Sequence, residues 1–160
     1  MDILFSTRDG HQCVNIISSA IIVMKNEMGK HLPNETGGVL IGKYDRNLRL
    51  ATIHIATSAP DDSDHGRAFF KRGIKSVLNN LKALQSKRKD LHYLGEWHTH
   101  PYNKPTPSKT DNMQMNKFAF DKLYGISSPI LIIVGGTPEN ILWNVSIHLH
   151  KKSIINLEEI

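Results

Sequence analysis

The sequence runs to 160 residues, 39% of them hydrophobic and 22% charged, with a formal net charge of +5. These proportions exclude a disordered or fibrous chain and suit one domain, residues 1–160, built on a single core. Cys13 is the only cysteine, so no intrachain disulfide and no cysteine-based zinc site can form, which fits a reducing compartment.

The apolar run Ile16–Met24 is too short to cross a bilayer and is interrupted by Ser18 and Ser19. Asp2 and Asp9 precede it in place of a basic leader, and no small-residue cleavage site follows. A soluble, cytoplasmic protein without a membrane partner is expected. The positive charge clusters at Lys71, Arg72 and Lys75 and at Lys82, Lys87, Arg88 and Lys89. Both clusters lie on or beside a predicted amphipathic helix, where a solvated charged face is the default. No nucleic-acid motif or aromatic platform accompanies them, so a weakly acidic protein partner is expected rather than nucleic acid.

In chain order, Met1–Thr7 reads as a short edge strand. Val14, Ile17, Ile21, Met24 and Met28 have helical spacing, which predicts a helix from Val14 to about Lys30, stopped by Pro33. Glu35-Thr36-Gly37-Gly38 leads into a central strand, Val39–Gly42, and the turn-prone Asp45-Arg46-Asn47 predicts a hairpin to Leu48–Thr57. Ser58–Arg67 reads as loop, and Phe69-Phe70 as a short strand after it. Gly73–Lys87 is predicted helical with Ile74, Val77, Leu78, Leu81 and Leu84 on one face. A third helix is expected over Ser108–Tyr124, with Met115, Phe118, Ala119 and Leu123 toward the core and Gly125 as its stop. Ile130–Val134 reads as a buried strand, Gly135–Pro138 as a turn, and Ile141–Leu149 as a half-buried strand. The expected architecture is α/β, a mixed sheet with helices on its faces.

Between the two later helices lies the stretch with the clearest chemistry. Leu91–Leu94 reads as a buried strand that continues into Gly95-Glu96-Trp97-His98-Thr99-His100 and halts at Pro101. The side-chain period of two puts His98 and His100 on one face and Thr99 on the other. Seven residues separate His100 from Ser108, three of them proline, so they form a loop. Ser108 then opens a helix with Asp111 in its first turn. Ser-x-x-Asp there is a helix capping box in its own right, and His-x-His on a strand can be an ordinary polar face. Taken together, two imidazoles and a carboxylate form a three-ligand zinc set with the fourth position left for water, the arrangement of a catalytic zinc. A base must then take the proton of that water. Glu96 can share the face of His98, and Glu35 lies before another central strand, beside two glycines that would leave space for a substrate backbone.

Glu35-Thr36-Gly37-Gly38-Val39-Leu40-Ile41-Gly42, His98-Thr99-His100-Pro101 and Ser108-Lys109-Thr110-Asp111 together resemble the signature of the JAMM (MPN+) metalloproteases. The resemblance implies a JAMM/MPN fold over nearly the whole chain. It further implies that His98, His100 and Asp111 hold Zn2+, that Glu35 is general base and then proton donor, and that Ser108 donates a hydrogen bond to the oxyanion. Its substrates would be isopeptide or peptide bonds after the C-terminal tail of ubiquitin or a ubiquitin-like protein, bound extended along a sheet edge. The Gly95–Pro101 stretch is similar to small stand-alone bacterial members. Those are often encoded beside E1-like and E2-like enzymes, including in antiphage systems with a cyclase that becomes conjugated. Processing of a sulfur-carrier protein, or a non-catalytic MPN scaffold, are the alternative readings.

The remaining candidates are plainer. Glu96 is either a support to a histidine or a polar, salt-bridged residue. His148 and His150, a second His-x-His, are expected to face solvent. His54 and His92 read as structural strand residues, and Cys13 has no base beside it. The loop Asp61–Arg67 either clamps a substrate tail, with His65 in contact, or is an ordinary surface loop.

Overall fold

A computed structural model gives the architecture over residues 1–149 and 153–160. Its strands are β1 (Ile3–Ser6), β2 (Cys13–Ile16), β3 (Gly37–Tyr44), β4 (Leu50–Ala56), β5 (Asp64–Gly66), β6 (Phe69–Lys71), β7 (His92–Pro101), β8 (Ile130–Thr137), β9 (Asn140–His148) and β10 (Ile154–Glu159). The helices are α1 (Ser18–His31), α2 (Val77–Lys87) and α3 (Lys109–Phe120).

Eight of the strands form one mixed sheet in the order β1-β10-β9-β8-β7-β3-β4-β2, and pairing of β1 with β2 closes it into a barrel. The mixed, helix-flanked sheet expected above is corrected to this extent: the sheet is mixed, but it closes into a barrel and has no free edge. Two short strands make the closure. Val14 and Ile17 fit a helical period, yet Val14 lies with Ile16 in β2, parallel to β4, and Ile17 is still extended before α1. β-branched residues side by side suit a pleated surface, and the sheet takes them. Helix α1 has no side-chain cap of its own; Asp2 supplies the acceptor for the Ser18 N–H at 2.8 Å. β10 escapes sequence reading because Ile154 and Ile155 break any alternation and only Leu157 is fully buried.

The sheet is buried on both faces where it matters. On one face Leu40, Trp97, Ile130, Ile132 and Val134 share a core with Ala20, Met24 and Met28 of α1. On the other, Val39, Ile41 and Tyr93 pack on Val77 and Leu81 of α2, while Leu131 and Ile133 pack on Met115 of α3. Strand β7 is central, antiparallel to β3 and parallel to β8.

Several local expectations shift. Ile74 and Leu123 are exposed, because α2 begins only at Val77 and α3 ends at Phe120. β8 runs through Gly135 and Gly136 to Thr137, leaving Pro138-Glu139 as the turn to β9. The last part of the 58–67 loop is β5, which pairs with β6 as a separate hairpin. His148 is not solvent-facing but fully buried, its Nε2 3.1 Å from Ser146 Oγ; His150 lies outside the described residues. Among the described residues, no helix is long and apolar enough to cross a membrane.

Candidate metal centre

The centre grows from an irregularity in β7. The β3–β7 register slips between Leu40 and Ile41, so that Leu40 faces Gly95 while Ile41 faces Tyr93. Gly95 sits at φ +152°, and a Cβ there would come 1.9 Å from the Ile130 carbonyl oxygen, so only glycine fits. Beyond this bulge the alternation is regular. Trp97 points into the α1 core and donates its indole N–H to Thr57 O at 3.0 Å, while Glu96, His98 and His100 all line a cleft of about 370 Å³ on the opposite face.

His98 and His100 converge, with their Nε2 atoms 3.2 Å apart. Asp111 comes from α3: its Oδ1 is 3.4 Å from His98 Nε2 and its Oδ2 3.8 Å from His100 Nε2. Among the described residues these three form the one cluster of possible metal donors, one atom from each and all within 4.8 Å of one another. Donors about 2.0–2.2 Å from a tetrahedral zinc stand roughly 3.3–3.6 Å apart, so the set fits with small side-chain adjustments. Two facing Nε2 atoms can share only one proton, a contact that suits a common cation better than it suits each other. Burial, helped by His98, pushes the His100 imidazole below its ordinary pKa, toward the neutral form that ligates metal. Burial works to raise the Asp111 carboxyl, but His98 and the Ser108 N–H outweigh it and hold the group well below the carboxylate range.

The capping box and the cluster coexist on the same residues. Ser108 Oγ accepts the Asp111 N–H at 3.1 Å, and Asp111 Oδ2 accepts the Ser108 N–H at 2.6 Å. The cap uses a lone pair of Oγ and leaves the Ser108 O–H free to donate into the cleft that Ser108 also lines.

Glu35 lies just before β3, buried, with Oε1 3.9 Å from His100 Nε2. Burial, reinforced by Asp111 and opposed by His98, pushes its carboxyl up to about 7. The glycines after it do not leave room for a substrate backbone, as the sequence suggested. A Cβ on Gly37 would meet Trp97 O at 2.2 Å, and one on Gly38 would meet Thr57 O at 2.2 Å, so the neighbouring strands fill that space.

Glu96 is committed elsewhere. Its Oε2 accepts from Arg72 Nε at 2.7 Å and its Oε1 from the Tyr93 O–H at 2.6 Å; burial pushes it up to about 6 against the pull of Arg72. It is therefore the salt-bridged residue of the two readings. Arg72 in turn corrects the solvated-cluster reading of its own stretch: it is buried and also donates to Gly73 O and Tyr124 Oη. Sequence gave no sign of this, since Lys71 and Lys75 beside it are exposed. Residues 67–70 of the β5–β6 hairpin line the cleft as well, whereas His65 turns away from it toward the main chain of Glu35.

Comparison with known proteins places this geometry. Residues 18–146 match the family of prokaryotic homologues of the JAB domain. A protein of Enterobacter hormaechei subsp. hoffmannii named CD-NTase/cGAS isopeptidase is 39% identical over 137 residues, covering 86% of this chain and 75% of that one. A Vibrio cholerae protein of the same name is 28% identical over 136 residues, 84% of each chain. The solution structure of a Desulfitobacterium hafniense protein superposes with a TM-score of 0.57 at 20% identity, over 91% of this chain and 88% of that one, a likeness of fold. On the extent of the family match and the identity to the Enterobacter protein, the chain belongs to the prokaryotic homologues of the JAB domain.

Proposed function

We propose that this protein is a zinc-dependent isopeptidase that hydrolyses the bond after the C-terminal tail of a ubiquitin-like protein or of a conjugated CD-NTase. The observation that carries the reading is the convergence of His98, His100 and Asp111 in one cleft with the buried Glu35 carboxyl and the free Ser108 hydroxyl. The relatives named CD-NTase/cGAS isopeptidase support the substrate class.

In this reading His98, His100 and Asp111 hold the zinc. When bound, such a zinc lowers the pKa of its water to about 7 and polarises the scissile carbonyl. Glu35 accepts the proton of the attacking water at a carboxylate oxygen. A carboxyl poised near neutrality can take that proton and return it to the nitrogen of the leaving amine as the C–N bond breaks. The Ser108 O–H donates to the oxygen that gains charge from the carbonyl. Arg72 and Tyr93 keep Glu96 occupied, so Glu35 is the carboxylate assigned to proton transfer.

The test is zinc stoichiometry by elemental analysis on protein purified without a metal-affinity tag, together with cleavage of a fluorescent reporter fused behind either tail. About one zinc per chain is expected, lost in His100→Ala, with cleavage lost in Glu35→Gln while its zinc is retained. Cleavage by Glu35→Gln at the wild-type rate would remove Glu35 from the proton transfer. A zinc-free but active wild type would overturn the metal reading.

A further inference from the structure

Glu35 belongs to neither helix nor strand; it lies in the short connection between α1 and β3. A carboxylate on such a segment needs its main chain held if it is to keep one position beside the cluster. Both of its peptide groups are held, and by the same hairpin. The Glu35 N–H donates to Gly66 O at 2.7 Å, and His65 Nδ1 lies 2.9 Å from Glu35 O. A carbonyl oxygen can only accept, so Nδ1 of His65 carries the proton and donates it. The next residue is held from the other side: the Thr36 N–H donates to Thr99 Oγ1 at 2.9 Å, and the Thr99 N–H donates to Thr36 O at 2.8 Å. Thr99 is the residue between His98 and His100 that faces away from them. The Glu35-Thr36 connection is thus clamped between the metal-binding strand and the β5–β6 hairpin.

The His65 ring is itself fixed. It stacks on His31, at the end of α1, with centroids 4.4 Å apart and planes 16° apart, and Phe70 lies against it at 5.3 Å. It is absent from the cleft lining, to which its hairpin neighbours Phe69 and Phe70 belong.

We propose that His65 is a positioning residue for Glu35: it acts through the Glu35 carbonyl, not on the substrate, and it ties the placement of the base to the hairpin that walls the cleft. The proposal rests on Glu35 being the base. Misplacing a catalytic group by about 1 Å can cost on the order of 10²-fold in rate. A defect of placement should appear in kcat, because the cleft walls that bind substrate are unchanged.

The test compares wild type with His65→Phe, which keeps a ring for the stack and loses the donor, and His65→Asn, whose side-chain amide can donate from nearly the same point. Kinetics use the reporter fusion, and hydrogen exchange is followed in the peptide spanning residues 33–37. His65→Phe should lower kcat by about 10–100-fold with KM changed less than about two-fold, and exchange in that peptide should accelerate. His65→Asn should restore both, and zinc content should stay the same in all three. Equal kcat in wild type and His65→Phe, a change confined to KM, or no rescue by asparagine would each overturn the proposal. If instead Glu35→Gln proved fully active, the base assignment would fall. The exchange data would then still show by themselves whether His65 holds the Glu35 main chain.

Discussion

Asp111 Oδ1 faces His98 Nε2 at 3.4 Å while Oδ2 of the same carboxylate accepts the Ser108 main-chain N–H at 2.6 Å. One side chain therefore starts a helix and completes a donor cluster. The two roles can be separated, because an amide oxygen can accept the N–H but does not supply the anionic donor. Asp111→Asn is expected to keep α3 and the thermal transition close to wild type while zinc falls well below one per chain. Circular dichroism with elemental analysis on the same sample checks this; full zinc in the variant would remove Asp111 from the donor set.

Ser108 carries a similar double duty. Ser108→Ala removes the acceptor for the Asp111 N–H, a capping loss of about 1 kcal/mol, and removes the oxyanion donor, about 10²–10³-fold in kcat. Ser108→Thr restores both cap and hydroxyl and should recover most of the rate. Rates equal in Ser108→Ala and wild type, with only stability lost, would leave Ser108 as a cap alone.

The Arg72–Glu96 pair is buried on both sides, with side-chain exposures of 4% and 9%. Removing one member of such a pair leaves a charge without compensation, at about 3–5 kcal/mol. Arg72→Met should destabilise by that order in urea unfolding. Arg72→Met combined with Glu96→Gln should destabilise less than Arg72→Met alone, since the neutral amide can still accept the Tyr93 O–H. A double variant as unstable as the sum of the two singles would mean that the pair is not energetically coupled.

Burial pushes the His148 imidazole down to about 4, and its Nδ1 has no partner. The unfolded chain protonates this residue near 6.5, so between about 6.5 and 4 the unfolded state binds more protons and stability falls as pH falls, by up to about 3 kcal/mol. Stability measured by denaturant titration at several pH values should fall less steeply across this window in His148→Gln than in wild type, the two curves differing only by a constant offset above and below it. Parallel curves through the window would show that His148 does not carry this linkage.

Much of the site was legible in the chain because it is local. His98, Thr99 and His100 alternate by the geometry of any strand, Pro101 and the proline-rich loop end that strand, and Ser108 and Asp111 form a helix start from four consecutive residues. The bracketing of Val39–Gly42 by turn-prone residues likewise marked a strand. What sequence could not decide is everything set by pairing between distant segments. Closure of the barrel depends on β1 meeting both β2 and β10, and β2 and β10 are too short and too weakly patterned to announce themselves. The fate of Arg72 depends on Glu96 and Tyr124, which are distant in the chain and adjacent in space; a run of basic residues looks the same whether one of them is buried or not. His148 reads as polar by alternation, yet in the folded chain it pairs with Ile154 of β10 and has no exposed surface. The grip on Glu35 by His65, Gly66 and Thr99 is the same kind of fact. Period and punctuation write the ligand spacing into the sequence, whereas only the folded chain determines which main-chain groups are left for a hairpin to hold.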